Sequence, residues 1–223
     1  MQSNDDRQLF PEEPVARLAL HLAIFVIRGD IATEPVDPLL IQFFQLASDE
    51  MRHKVVSEIG RILANEREHL PEQAVEQCQH FWEWRMTQVG ALPDAQQSAR
   101  ELAAFGWWVF EDIFPAHWSV EQLARILDRS KQLDMSSFVV HRLASLVSQE
   151  LALTLQCLSH LVEGDTNSWG SAEWNEDVRT ILVEGLRQQD EAIRAQARAV
   201  TSVLMMQGHT QYRELVSHSE AER

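Results

Sequence analysis

The chain has 223 residues and a formal net charge of −15, from 19 Lys and Arg against 34 Asp and Glu. Nucleic acids and anionic membranes recruit basic surfaces, so this charge disfavours both kinds of partner. The acid is not confined to a tail, because residues 1–110 carry 9 basic and 17 acidic side chains and residues 111–223 carry 10 and 17. If charge contributes to binding, the partner is a basic protein.

The composition is that of a globular protein, with 45% hydrophobic and 24% charged residues. Cys78 and Cys157 lie far apart in the sequence, unlike the dense cysteines of a secreted disulfide framework. The chain begins with polar residues, and its longest apolar run, residues 18–27, is too short to span a bilayer. We therefore expect a soluble, cytoplasmic protein.

Apolar residues recur at helical spacing along almost the whole chain, and no segment alternates as a strand would. Gly and Pro residues interrupt this pattern and indicate where helices begin and end. In chain order, the predicted helices cover about residues 15–28, 38–46, 49–64, 71–89, 95–110, 120–131, 138–148, 150–163, 176–188, 191–207 and 210–217. Polar residues stand where N-caps are expected, and Gln122 completes a capping box with one of them; the predicted caps are Asp37, Ser48, Ser119, Asn175 and Asp190.

Short connections between consecutive helices favour antiparallel hairpins, and hairpins every 35–45 residues or so are typical of HEAT-like repeats. The last predicted pair is the clearest example, because Asp190 starts a helix rich in alanine, with Ala195, Ala197 and Ala199 allowing close helix approach. We predict an all-α, HEAT-like solenoid as one domain over residues 15–217. A polar segment, 1–14, precedes it and a polar tail, 218–223, follows. A compact irregular bundle is the alternative, since no strict repeat is visible.

Two stretches carry a resemblance to known proteins: FGWWVFEDIFPAHWSVEQL at residues 105–123 and LMMQGHTQYREL at residues 204–215. They resemble the helical-repeat C-terminal regions of large bacterial anti-phage defence proteins. Those proteins carry a sirtuin-like NADase or a STAND-type nucleotide-binding module at the N-terminus. The resemblance covers roughly the second half of the chain and implies a sensor or scaffold segment. The chain departs from the family in lacking any Walker-type loop or Rossmann fingerprint.

Catalytic and metal-binding patterns are weak. There is no G-x-S-x-G and no H-E-x-x-H. Glu66 and His69 have the Glu-x-x-His spacing of di-iron bundles, but the second copy is missing. Cys157, His160 and Glu163 form another candidate spacing, in which Cys157 and His160 share a helix face, but a zinc site needs about four ligands. We expect no catalytic residue, no metal and no cofactor.

Tryptophan is the strongest functional signal, because the chain has seven. Most of the aromatic residues in segments 81–84, 105–110 and 114–118 are expected to form core, while one or two tryptophans anchor a protein partner. The candidate partner-binding residues are Trp84, Trp107, Trp108, Trp118, Trp169 and Trp174. Trp84 and Trp118 are favoured, since both have polar or charged neighbours. Trp169 and Trp174 lie in a polar loop, where they either cap adjacent helices or project as contacts.

The sequence thus predicts a non-enzymatic protein-interaction module. One alternative is a structural homo-oligomerisation domain. The other is an enzyme on helical repeats, such as a DNA glycosylase, which needs a basic groove that this composition does not supply.

Overall fold

The computed structural model describes residues 12–27, 36, 38–92, 98–109, 113–165 and 173–215. Helices and the turns between them account for these residues, and no strand occurs among them, which confirms the all-α prediction for this part of the chain. The α-helices are α1 (Glu12–Ile27), α2 (Pro38–Leu46), α3 (Asp49–Glu66), α4 (Glu72–Gly90), α5 (Ala99–Ala104), α6 (Ala116–Ser130), α7 (Ser136–Gly164), α8 (Asn175–Leu186) and α9 (Glu191–Met206). Short 3-10 segments occupy Arg67–His69, Phe105–Trp108 and Thr210–Tyr212.

Two of the predicted N-caps form. The Ser48 hydroxyl accepts the amide of Met51, and the Asp190 carboxylate accepts the amides of Ala192 and Ile193. These bonds satisfy backbone donors that the first turn of a helix leaves unpaired. Asp37 lies outside the described residues.

Two other predicted caps are wrong. Ser119 lies inside α6, which begins a turn earlier after Pro115, and its hydroxyl donates to the carbonyl of Ala116. A proline readily precedes a first turn because that turn does not need its missing amide donor. Asn175 lies within α8, whose cap position is held by Trp174 without a side-chain bond.

The predicted helix over residues 95–110, of which 95–97 and 110 lie outside the described residues, does not stay α-helical to its end. Its described α-helical part ends at Ala104 and tightens into the 3-10 segment Phe105–Trp108. Gly106 lies in this 3-10 segment, and a Cβ at this position would overlap the carbonyl oxygen of Asp134. The backbone of the loop before α7 therefore occupies the space that a side chain would need.

The chain folds into two compact units, Met1–Ala104 and Phe105–Arg223, where the sequence predicts one domain over residues 15–217. In the first unit, α1 packs against α2, α3 and α4, and α3 packs against α5. Its largest fully buried side chains include Phe44, Leu63, Trp82 and Leu102.

In the second unit each helix packs against the next: α6 on α7, α7 on α8 and α8 on α9, with α9 also returning to α7. Its fully buried side chains include Phe105, Trp108, Ile126, Leu143 and Tyr212. Helix α7 is interrupted at Glu150, whose backbone has φ −130° and ψ 41°. This interruption coincides with the predicted boundary between the helices at 138–148 and 150–163.

Candidate functional site

The first unit buries a cluster of paired charges between α3, α4 and α5. The Glu101 carboxylate is fully buried, and Arg85 is 4% exposed. Arg85 binds Glu101 through two bonds, Nε to Oε1 at 2.6 Å and one terminal nitrogen to Oε2 at 2.8 Å. Arg52 from α3 donates its Nε to the same carboxylate at 2.6 Å. A buried carboxylate is tolerated only when paired in this way, so each partner depends on the others.

Asp49 and Arg52 connect the cluster to the backbone. The Asp49 carboxylate accepts the amides of Arg100 and Glu101 at 3.2 and 3.0 Å, and so supplies negative charge to the first turn of α5. Arg52 donates to the carbonyl of Ala47 at 2.5 Å. The residues between α2 and α3, the start of α3 and the start of α5 are therefore fixed by one hydrogen-bond network. A guanidinium group offers only hydrogen-bond donors in a planar arrangement, which suits a positioning role.

Trp84 lies at the rim of this cluster. It is half-buried on α4, with its ring centroid 6.3 Å from Phe44 in an edge arrangement and 6.0 Å from Phe81. The Arg85 guanidinium carbon lies 5.2 Å from the Trp84 centroid and 5.1 Å from that of Phe44. These are distances at which cations and aromatic edges attract a π face. The buried pair with Glu101 thus orients the Arg85 guanidinium, which in turn contacts the Trp84 indole.

A second aromatic group lies in the second unit. Trp108 is fully buried, stacks on Phe114 with centroids 6.3 Å apart, and lies 5.1 Å from Phe105. Phe114 contacts Trp118 at 5.2 Å, and Trp118 is half-buried on the first turn of α6. This line of rings runs from the core of the unit to its surface.

The structure separates the predicted partner-binding tryptophans by exposure. Trp84, Trp107 and Trp118 keep part of their surface exposed. Trp108 and Trp174 are buried, at 0% and 4% exposure, and so belong to the core rather than to a surface that a partner reaches. Trp169 lies outside the described residues.

The candidate metal ligands do not come together. Cys157 is fully buried, its thiol points to the carbonyl of Val120 at 3.7 Å, and burial raises its pKa to about 12. Glu163 pairs instead with Lys131, whose ammonium lowers the pKa of that carboxyl. His69 is exposed at the end of its 3-10 segment. Within the described ranges no group of three His, Cys, Asp or Glu side chains could hold a metal ion.

The buried charge cluster is not among the features predicted from the sequence. Its signal is an Arg on the apolar face of α4, since Arg85 follows Phe81 and Trp82 at core spacing, and a Glu beside Leu102 on α5. Opposite charges at core positions of neighbouring helices indicate a buried pair. The bridging role of Arg52 has no comparable signal, because α3 carries several exposed charges.

No protein-family model, curated protein or solved structure matches this chain. Among the helices in the described part of the chain, none combines the length and apolar character needed to cross a membrane.

Proposed function

We propose that the chain is a non-enzymatic protein-interaction module whose binding surface is centred on Trp84. We call this the Trp84 surface and define it as Trp84 with its exposed neighbours His80, Thr87 and Gln88, which lie four before, three after and four after it on α4. The observation that carries the proposal is a partly exposed indole held by aromatic rings and by an arginine from a buried ion pair.

Preorganisation is the physical reason to favour this surface. Binding costs free energy when flexible side chains become ordered, and hot spots are usually aromatic or Arg residues with well-packed surroundings. Phe44, Phe81 and Arg85 all lie against the indole, and Glu101 holds Arg85 in place. Trp84 is therefore ordered before a partner arrives.

Charge supports a basic protein as the partner. The exposed charged side chains of α4 are all acidic, namely Glu72, Glu76 and Glu83, because Arg85 is buried in its pair. This field attracts a basic segment and repels nucleic acid and anionic membranes.

The arrangement of the second unit and the biological role of the chain are also proposed. The consecutive packing of α6 to α9 supports a HEAT-like arrangement of hairpins in the second unit. With the resemblance of residues 105–123 and 204–215, it supports a sensor or scaffold segment of a cytoplasmic bacterial defence system.

Site-specific photo-crosslinking tests the proposal. A benzoylphenylalanine at Thr87, one turn from Trp84 on the exposed side of α4, is expected to form a covalent adduct with a discrete protein in living cells. Trp84→Ala in the same background is expected to abolish that adduct. A crosslinker at Ser202 on α9, which is also exposed but lies in the other unit, serves as the matched control.

A second candidate, homo-oligomerisation, is favoured by α2. This helix carries no charged residue, and Leu39 and Leu46 are 55% and 71% exposed. Light scattering on the purified chain separates the two candidates, because a stable oligomer that Leu46→Glu dissociates supports the second and a monomer supports the first.

A further inference from the structure

The break in α7 has no obvious cause in its own sequence. Sharp kinks usually occur at Pro, at Gly or at an inserted group. Neither Pro nor Gly occurs in residues 146–153, yet Glu150 has φ −130° and ψ 41° within a helix that spans Ser136–Gly164. A contact from another helix is therefore the expected cause of this conformation.

One such contact comes from α6. The His117 Nδ1 atom lies 2.9 Å from Glu150 Oε2, and the two side chains are 69% and 19% exposed. His117 stands in the first turn of α6, just after Pro115. The charged groups that act on its imidazole are Glu150 from α7 and Glu121 from α6 itself. The bond to Glu150 and that carboxylate's charge raise the pKa of His117 above its usual 6.5.

Thr154, one turn after the break, has a side-chain hydroxyl that the broken helix leaves unpaired. Its hydroxyl is fully buried and has no hydrogen-bond partner. Three other threonines in this protein donate to the carbonyl four residues before them: Thr87 to Glu83, Thr180 to Glu176 and Thr201 to Ala197.

For Thr154 the equivalent acceptor is the carbonyl of Glu150. The ψ angle of a residue sets the direction of its carbonyl, and a helical value is about −42°. At 41°, the Glu150 carbonyl is rotated by about 80° from the helical direction. The break therefore removes the acceptor that a continuous helix would offer to Thr154.

We propose that the contact between His117 and Glu150 is a proton-controlled switch that selects between a broken and a continuous α7. In the broken state His117 holds the Glu150 side chain and the Thr154 hydroxyl is unpaired. In the continuous state that contact is released and Thr154 donates to the Glu150 carbonyl. The broken state keeps the contact between His117 and Glu150, and the continuous state pairs the buried Thr154 hydroxyl, so each state has an interaction that the other lacks, as a two-state element requires.

The direction of the pH dependence follows from the imidazole. Protonated His117 donates to the carboxylate, so the stabilisation of the broken state by this contact is fully present at pH values below 6.5. As the pH rises through the raised pKa of His117, the contact weakens and the continuous helix gains population. If the contact only stabilised α7, its loss at high pH would destabilise the helix and lower the protection of its amides, which is the opposite result.

Amide hydrogen exchange distinguishes these outcomes. Protection factors for the amides of residues 151–155, corrected for intrinsic exchange, are compared at about pH 5.5 and about pH 8.5, on either side of the imidazole pKa. We expect protection to increase by about twofold to fivefold at the higher pH, the range that one surface ion pair supports. The midpoint should match the His117 titration followed by NMR.

Two variants and one control complete the test. His117→Gln should give the high-pH protection at both pH values. Thr154→Val removes the unpaired hydroxyl and should keep α7 broken, so the pH response disappears while the thermal midpoint rises. His141, on an unbroken part of α7, is the matched control, because its Nδ1 atom lies 3.2 Å from Oδ1 of Asp177 on α8. His141→Gln should leave the response intact. Protection that falls at high pH, or a response that survives His117→Gln, would overturn the proposal.

Discussion

The two units stabilise their cores by different means. In residues 1–104, α3, α4 and α5 are connected through a buried carboxylate that binds two guanidinium groups, and α1 packs against three helices. In residues 105–223, consecutive helices pack through apolar side chains. The described buried residues of this unit include no Asp, Glu, Lys or Arg. Ion pairs are directional whereas apolar burial is not, so the first unit fixes the orientation of individual side chains and the second depends on close packing.

The largest expected effect comes from removing the central carboxylate. Glu101→Ala leaves Arg52 and Arg85 without their shared partner in a buried site, and breaking a buried pair in this way costs about 3–5 kcal/mol. Urea unfolding followed by tryptophan fluorescence measures the loss in the free energy of unfolding. Glu76→Ala, at an exposed position of α4, is the control and should change it by less than about 0.5 kcal/mol. A loss below about 1 kcal/mol for Glu101→Ala would mean that the charges do not support each other as described.

The second unit should be more sensitive to added volume. A Cβ on Gly185 of α8 would lie 2.9 Å from the Cβ of Ala197 on α9 and 3.0 Å from Leu155 on α7. Gly185→Ala should therefore destabilise by about 1–3 kcal/mol through overpacking, although Ala is the better helix former. A double-mutant cycle is completed by measuring the free energy of unfolding of Gly185→Ala, of Ala197→Gly and of the double variant. A favourable coupling energy is expected, and purely additive effects would contradict close contact.

A smaller difference is expected between the two helix caps. Asp190 accepts amides at 2.8 and 3.4 Å at the start of α9, whereas Ser48 accepts one amide at 3.4 Å at the start of α3. Asp190→Ala should cost about 1 kcal/mol and Ser48→Ala less, as measured by thermal unfolding. Asp190→Asn is the control, because Asn also caps well. Equal losses at the two positions would show that bond number and length do not set the cap energies here.

The sequence predicts local features better than long-range ones. The all-helical pattern, the extent of α2 and the caps at Ser48 and Asp190 follow from residues within one or two turns of each other. The requirement for glycine at position 106 does not, because it depends on the carbonyl of Asp134, far along the chain.

The candidate site is less accessible to prediction. The polar neighbours of Trp84 point to an exposed position, and its side chain is partly exposed. Trp108 and Trp174 are buried, at 0% and 4% exposure, and the sequence pattern does not separate them from the partly exposed tryptophans. Arg52 and Glu101 are separated by 49 residues, so no spacing rule relates them. Likewise, of the three alanines expected to permit close approach on α9, only Ala197 is buried, while Ala195 and Ala199 are exposed.

The most direct test of the Trp84 surface is the affinity of Trp84→Ala for the protein that crosslinks at Thr87. Isothermal titration calorimetry with the purified partner is expected to give an affinity at least about 30-fold weaker than that of the unaltered chain, the loss typical of a hot spot. Trp118→Ala, the half-buried tryptophan of the other unit, should leave the affinity within about threefold. Unchanged affinity for Trp84→Ala in a variant that still unfolds cooperatively would contradict the central claim.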